Sequence, residues 1–296
     1  MKRSIAIMTI LFVVGEIDLF VFGHRAQCLQ SLEVAAGLAL LMFLTHRFTL
    51  VQESAPKPKR TTMLLQISQL AVCLVIWIAG ISKRGIWDKN GFYLGPAPGG
   101  LPGWTQLIHV AHNIVASMVP AGIFRYGTDN FFEDVILITV PLLLLGVPWR
   151  EFGFYRLSQG SGKVLIAWLV APFAFFAYVV LTRQIPLVGM LKILASNLLQ
   201  NGFSEEFLWR GAILGRLRTL FAEHWALLIQ ALAFGAWHYG ADMGAMRQNL
   251  IAAVGAMIAV QAVFGFAMGF LYLRTRNLLI PTLFHLSFDS LGSFIS

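Results

Sequence analysis

The run from Val164 to Leu181, eighteen residues without a charge, sets the terms for the whole chain. As a helix it would be about 27 Å long, close to the roughly 30 Å hydrocarbon core of a bilayer. Inside that core each backbone N–H and C=O must find its partner within the protein, which leaves the helix as the form for such a run. Comparable stretches recur at about 4–23, 30–50, 63–81, 131–148, 164–182, 188–210, 224–240, 250–273 and 278–295. Of 296 residues, 57% are hydrophobic and 12% charged, whereas a soluble domain carries roughly 25% charged residues. The sequence therefore predicts an all-α polytopic membrane protein of about nine transmembrane helices, with eight to ten compatible, and excludes a soluble enzyme.

The charges test this layout. Lys2 and Arg3, then Arg47, Lys57, Lys59 and Arg60, then Arg150, Arg156 and Lys163, then Arg216 and Arg218, and last Arg274 and Arg276 all fall on one side if there are nine spans. That asymmetry puts the amino terminus in the cytoplasm, with Lys83, Arg84 and Lys89 as exceptions. The net charge of +8 reads as this bias and as contact with anionic lipid, so the bilayer is the expected partner and nucleic acid is not. The expected location is an integral membrane one, the plasma (inner) membrane if the chain is bacterial. The first apolar run contains Glu16 and Asp18 and lacks a small-residue cleavage site, so it reads as a retained span. Cys28 and Cys73 match no metal or redox spacing and read as packing residues.

Three parts follow from the punctuation. Residues 1–60 hold two spans and the basic Pro-Lys-Pro-Lys-Arg linker. Residues 61–130 hold the third span, a loop rich in Gly and Pro from Gly91 to Gly103, and the segment Trp104–Phe124. In that segment Gln106, His109, Asn113 and Ser117 recur at helical spacing, which predicts one interfacial or re-entrant amphipathic helix. Residues 131–296 form the bundle expected to carry chemistry. There Gly211/Gly215 and Gly265/Gly269 have the spacing that lets helices approach closely.

Within that bundle stands Ser204-Glu205-Glu206-Phe207-Leu208-Trp209-Arg210-Gly211, in apolar surroundings. A carboxylate at bilayer depth costs about 2–4 kcal/mol on insertion scales, which makes the pair a candidate site. Glu206 and Arg210 are four apart and can neutralise each other on one helical face, while Glu205 points elsewhere and has no local cation. The plainer alternative ends one helix at Asn201-Gly202-Phe203 and makes Ser204 the cap of the next, with both acids at its positive end.

Two further motifs follow. His238 closes an apolar helix with Phe234 one turn before it; a lone membrane histidine is as often bonded to a carbonyl as catalytic, and its neighbour Asp242 reads as a loop residue. His285 and Asp289 are four apart, spacing at which a carboxylate orients an imidazole or both reach one water, or else a simple helix-stabilising pair. Glu133 and Asp134 read as favourable charges at the start of a helix, Glu16 and Asp18 as acids near the extracytoplasmic end of the first span, and His109 and His112 as interfacial.

Taken together, Glu-Glu-x-x-x-Arg, Phe-x-x-x-His and His-x-x-x-Asp on three late membrane helices resemble the type II CAAX prenyl endopeptidases, also called CAAX proteases and bacteriocin-processing enzymes. The resemblance covers about residues 130–296 and implies an intramembrane endopeptidase acting on a membrane-associated or lipid-anchored peptide or protein. By that likeness Glu205 and His238 would activate the attacking water, and His285 with Asp289 would stabilise the oxyanion or complete a metal site. Glu206 and Arg210 would brace the first helix, and Phe234 would support the second motif. Glu205, His238 and His285 also form a ligand set that zinc accepts, so a divalent metal and bare carboxylate chemistry both stay open. The competing class is a non-catalytic scaffold, regulator or immunity-type protein of the same fold; a transporter is weaker, since no inverted repeat is evident.

Overall fold

The computed structural model describes residues 2–49, 55–59, 61–82, 85–87, 93–96, 102–118 and 127–295. Among them ten long helices follow one another: α1 Lys2–Val21, α2 Arg25–Phe48, α3 Met63–Ser82, α4 Pro102–Met118, α5 128–144, α6 Ser161–Leu181, α7 187–220, α8 Glu223–Ala245, α9 Leu250–Thr275 and α10 Leu279–Ile295. All nine expected spans lie on these helices, and α4 is the tenth. By length and composition α1, α2, α3, α6 and α9 can cross a membrane. The chain is an all-helical membrane protein. Its described strands are β1 Gly85–Trp87 and β2 Tyr93–Pro96, an antiparallel pair. Tyr93–Pro96 thus corrects the expectation of a plain loop from Gly91 to Gly103: Gly95 and Pro96 are themselves strand residues, opposite Ile86 and Gly85. Arg60, Lys83, Arg84, Lys89 and residues 119–124 lie outside the described residues.

α9 is the central rod. Every residue from Phe264 to Thr275 is buried, because α1, α2, α8 and α10 all pack against this helix. Asn249 starts it, its side-chain oxygen accepting from the backbone N–H of Ile251 and of Ala252 at 3.1 Å. Small residues set the spacing around it. A Cβ on Gly15 of α1 would stand 2.8 Å from the Gly255 carbonyl, and one on Gly269 would stand 2.5 Å from Leu227 of α8. Of the paired glycines noted in the sequence, Gly211, Gly265 and Gly269 mark close approach, while Gly215 has room to spare.

At one end of the bundle the connections meet in a buried polar cluster. Glu151 follows α5, and its two oxygens accept from Arg216 at 2.7 Å and from the Lys59 backbone N–H at 3.0 Å. Arg216 also donates to Gln69 of α3 at 2.9 Å. Arg218 donates to the carbonyls of Ala55 and Pro56 and to Glu223, while the Ala55 N–H reaches the Leu273 carbonyl at 2.7 Å. Arg274 binds Thr49 through both its hydroxyl and its carbonyl at 3.0 Å. Residues 55–59, the basic linker of the sequence, are thus a strap bound to the ends of α7 and α9. Arg216, Arg218 and Arg274 are corrected from loop charges to buried structural cations. Each extends its helix inward to a partner that periodicity along one helix does not reveal.

Candidate active site

α7 is continuous across Glu205 and Glu206, as the expected span 188–210 has it, and the alternative of a helix break there falls away. Ser204 does not cap a helix; its hydroxyl donates back to the Leu199 carbonyl. The turns on either side, Leu198–Gly202 and Phe207–Ile213, are widened to π-type, a local form frequent at functional sites. Widening admits an extra residue per turn and so rotates the acids relative to the rest of the rod, by about 100° per added residue. Gly202 lets the first wide turn reach α10: a Cβ there would sit 2.5 Å from the Leu286 Cβ. Gly211 does the same for the second, where a Cβ would lie 2.5 Å from the Phe152 carbonyl.

The two acids have opposite surroundings. Glu206, fully buried, accepts from Arg210 at 2.9 Å and faces His285 Nδ1 at 2.8 Å, both at Oε1. Arg210, also fully buried, donates a second bond to the Gly265 carbonyl of α9 at 3.1 Å and lies 4.9 Å above the Phe234 ring. Phe234 therefore contacts both the cation and the His238 ring, whose centroid is 4.6 Å from its own. That explains why the phenyl precedes the histidine by one turn. Glu205 is 6% exposed, and its Oε2 has no hydrogen-bond partner among the described residues. That oxygen faces His238 Nε2 at 3.8 Å and His285 Nε2 at 4.0 Å.

The second nitrogens of the rings are fixed from behind. His238 Nδ1 faces the Phe234 carbonyl at 2.9 Å, and His285 Nδ1 faces Glu206. Such contacts hold each Nδ1 as a donor and aim Nε2 inward. Asp289 Oδ2 stands 3.6 Å from His285 Nε2. Glu205, His238, His285 and Asp289 thus converge, and Glu206, Arg210 and Phe234 support them. Access comes from one side: the side chains of His238 and Asp289 keep 22% and 23% of their surface exposed, against 5% for His285. A water about 2.8 Å from Glu205 Oε2 and from one Nε2 fits the 3.8 Å gap between them.

The donors are of the kind zinc accepts, but they do not close a metal cage. In a tetrahedral site with bonds of about 2.0–2.1 Å neighbouring donors stand about 3.4 Å apart. Here the edges to Glu205 are 3.8 and 4.0 Å, and no group of three His, Cys, Asp or Glu among the described residues has the geometry to hold a metal.

Reading the sequence missed several contributors. Asn201 donates to Asp289 Oδ2 at 2.7 Å, and Asn130 of α5 holds that turn by donating to the Gln200 carbonyl at 2.7 Å. The signal for Asn201 was its position four before Glu205; for Asn130 there was none. Phe264 lies 4.9 Å from the His285 ring. Asp242 is corrected from a loop residue to a buried one on α8, where Gln261 approaches it at 3.4 Å. The apolar residues that follow Tyr239 are few, so the helix had seemed to stop. Glu133 and Asp134, read as charges at a helix start, lie buried in the turn that follows Thr128–Phe131 of α5, and Glu133 accepts from Trp104 of α4 at 2.9 Å. Glu16 accepts from Ser31 of α2, and His109 pairs with Asn113 at 3.1 Å on α4.

Residues 187–291 match the family model described as type II CAAX prenyl endopeptidase, Rce1-like, which is a model of a protease family. The match begins at the first residue of α7 and contains all seven motif residues. No curated protein and no solved structure matches the chain.

Proposed function

We propose, with the Rce1-like domain of residues 187–291 as the premise, that the chain is an intramembrane endopeptidase in which a glutamate and two histidines activate and direct a water. The observation that carries the reading is the unpartnered Glu205 Oε2, buried yet facing two inward-aimed Nε2 atoms at 3.8 and 4.0 Å. Glu206 also leaves its Oε2 without a partner, but its Oε1 is anchored by Arg210 and faces His285, whereas Glu205 has no hydrogen bond among the described residues and is held ready for a group the protein itself does not provide.

Glu205 takes the proton of the attacking water as the oxygen adds to the scissile carbonyl, with His238 Nε2 accepting the second hydrogen bond of that water. His285, with Glu206 on one nitrogen and Asp289 on the other, carries a proton at Nε2 and presents it to the oxyanion that forms. The proton on Glu205 then passes to the leaving amine. Glu206, Arg210 and Phe234 fix the two rings, and Asn201 fixes Asp289. The site lies among membrane helices, so its substrate is a peptide that comes to the bilayer, either lipid-anchored or membrane-spanning; a prenylated carboxy terminus is what the family description names.

The test compares membrane proteomes of cells carrying the native chain with cells carrying only His238→Ala. An uncleaved membrane precursor should accumulate in the variant, and the purified native chain should cleave it. If no precursor appears and the variant still complements a deletion, the scaffold reading takes its place.

A further inference from the structure

On the far side of α9 from the candidate site lies a second concave feature that the proposed peptidase chemistry does not use. α1, α2 and α9 enclose a cavity of about 650 Å³. Among its lining Met8, Leu38, Phe266 and Phe270 are nearly fully buried, and the rest is apolar except for Lys2, Thr9 and His46. The Thr9 hydroxyl of the lining is spent on the Ile5 carbonyl at 2.9 Å, and the two ionisable groups are Lys2, at the start of α1, and His46, near the end of α2. Arg3 and Arg47, adjacent in the chain and exposed, add two cations.

The groove has a length as well as a polarity. From Lys2 to Phe12 it follows ten residues of α1, about 15 Å. That equals half of the roughly 30 Å hydrocarbon core, the depth reached by one leaflet. An apolar trough one leaflet deep, with cations at its mouth, complements a molecule with an acyl chain and a negative head. We propose that this groove is a binding site for an anionic phospholipid of the bilayer, with one acyl chain along Met8, Leu38 and Phe270 and the phosphate taken by Lys2 and His46. The lipid would seal the seam between the amino-terminal helices and α9. It lies against Phe266, whereas Phe264 and Gly265, on another face of the same helix, meet His285 and Arg210.

The experiment is native mass spectrometry and thermal unfolding of the purified full chain, titrated separately with phosphatidylglycerol, phosphatidylcholine and a farnesylated peptide. Phosphatidylglycerol adducts should persist at about fivefold lower lipid concentration than phosphatidylcholine adducts, the preference expected of one cation near a phosphate. They should also raise the melting temperature. Ala39→Phe, which fills the trough, should remove the preference. Because that variant can mispack, Lys2→Gln with His46→Gln provides a second arm: at exposed positions it leaves the helices intact and, with Arg3 and Arg47 still present, should reduce the preference; an unchanged preference would overturn the proposal. Equal retention of both lipids by the native chain would overturn the proposal. So would a groove that takes the farnesylated peptide in preference to phosphatidylglycerol and loses it in Ala39→Phe.

Discussion

Two clusters of charge are buried in this molecule, and they are built differently. At the bundle end, Glu151 has both oxygens occupied, at 2.7 and 3.0 Å, by Arg216 and by the backbone of the strap. In the middle of α7, Glu205 is buried as deeply, 6% exposed against 5%, yet its Oε2 has no hydrogen bond and its nearest ionisable atoms stand at 3.8 and 4.0 Å. The end cluster ties α3, α7, α9 and the connections into one body. The central one holds inward-facing groups slightly apart, at a separation that suits a water. A buried ion pair is weak evidence for stability, whereas an unpaired buried acid is expensive to keep, so the contrast separates positions that hold the fold from a position kept for chemistry.

The strongest way to break that contrast is Glu205→Gln. If Glu205 is the base, activity falls about 10³-fold, within the usual range for removing a general base. An amide there removes a buried charge that has no hydrogen bond, only the histidine rings at 3.8 and 4.0 Å, so the melting temperature should hold or rise; a clear fall would move Glu205 into the structural class. Glu206→Gln should behave in the opposite manner. It strands Arg210, fully buried, with only the Gly265 carbonyl and the Phe234 ring, at about 3–5 kcal/mol of stability. Chemical unfolding in detergent measures it, and equal stability of the two variants would erase the division of labour between the acids.

At the bundle end, Glu151→Gln sharpens the comparison from the other side. The amide keeps the shape and loses a charge-assisted bond to Arg216, which retains Gln69, so stability should drop by about 1.5–3 kcal/mol. Peptidase activity per folded molecule should be unchanged. A loss of turnover larger than the loss of folded protein would show that the strap communicates with the site.

How much of this was readable before the fold follows the range of each interaction. The helices were legible because apolar runs of bilayer length allow little else, and the pairs Glu206–Arg210, Phe234–His238 and His285–Asp289 were legible because four residues is one helical turn. The role of Glu205 was legible only as an absence, an acid with no cation on its own helix. What escaped depends on neighbours far along the chain: Arg216 and Arg218 looked like topology signals until Glu151, more than sixty residues away, and the strap were seen to meet them. The alternative of a break in α7 arose for a local reason. Asn201-Gly202 has the composition of a helix end, and the wide turn that absorbs it exists because Gly202 must lie against Leu286.

That turn supplies the smallest of the expected effects and the finest test of where one cluster stops and the other begins. Asn201 is bonded to the site, donating to Asp289 at 2.7 Å, and also sits in the turn that Asn130 braces. It could belong to either class. If its work is to aim Asp289 at His285, Asn201→Ala should lower kcat about tenfold, the scale of losing one orienting hydrogen bond, with KM nearly constant because the residue does not touch the peptide. Stability should fall by only about 1 kcal/mol, the net value of a single such bond. Asn201→Gln, a longer amide with the same donor, should recover part of the turnover if the bond to Asp289 is what matters. Were kcat per folded molecule intact in the alanine variant while the melting temperature dropped, Asn201 would join Glu151 and Arg216 as a residue that only holds helices together, and the site would end at Asp289.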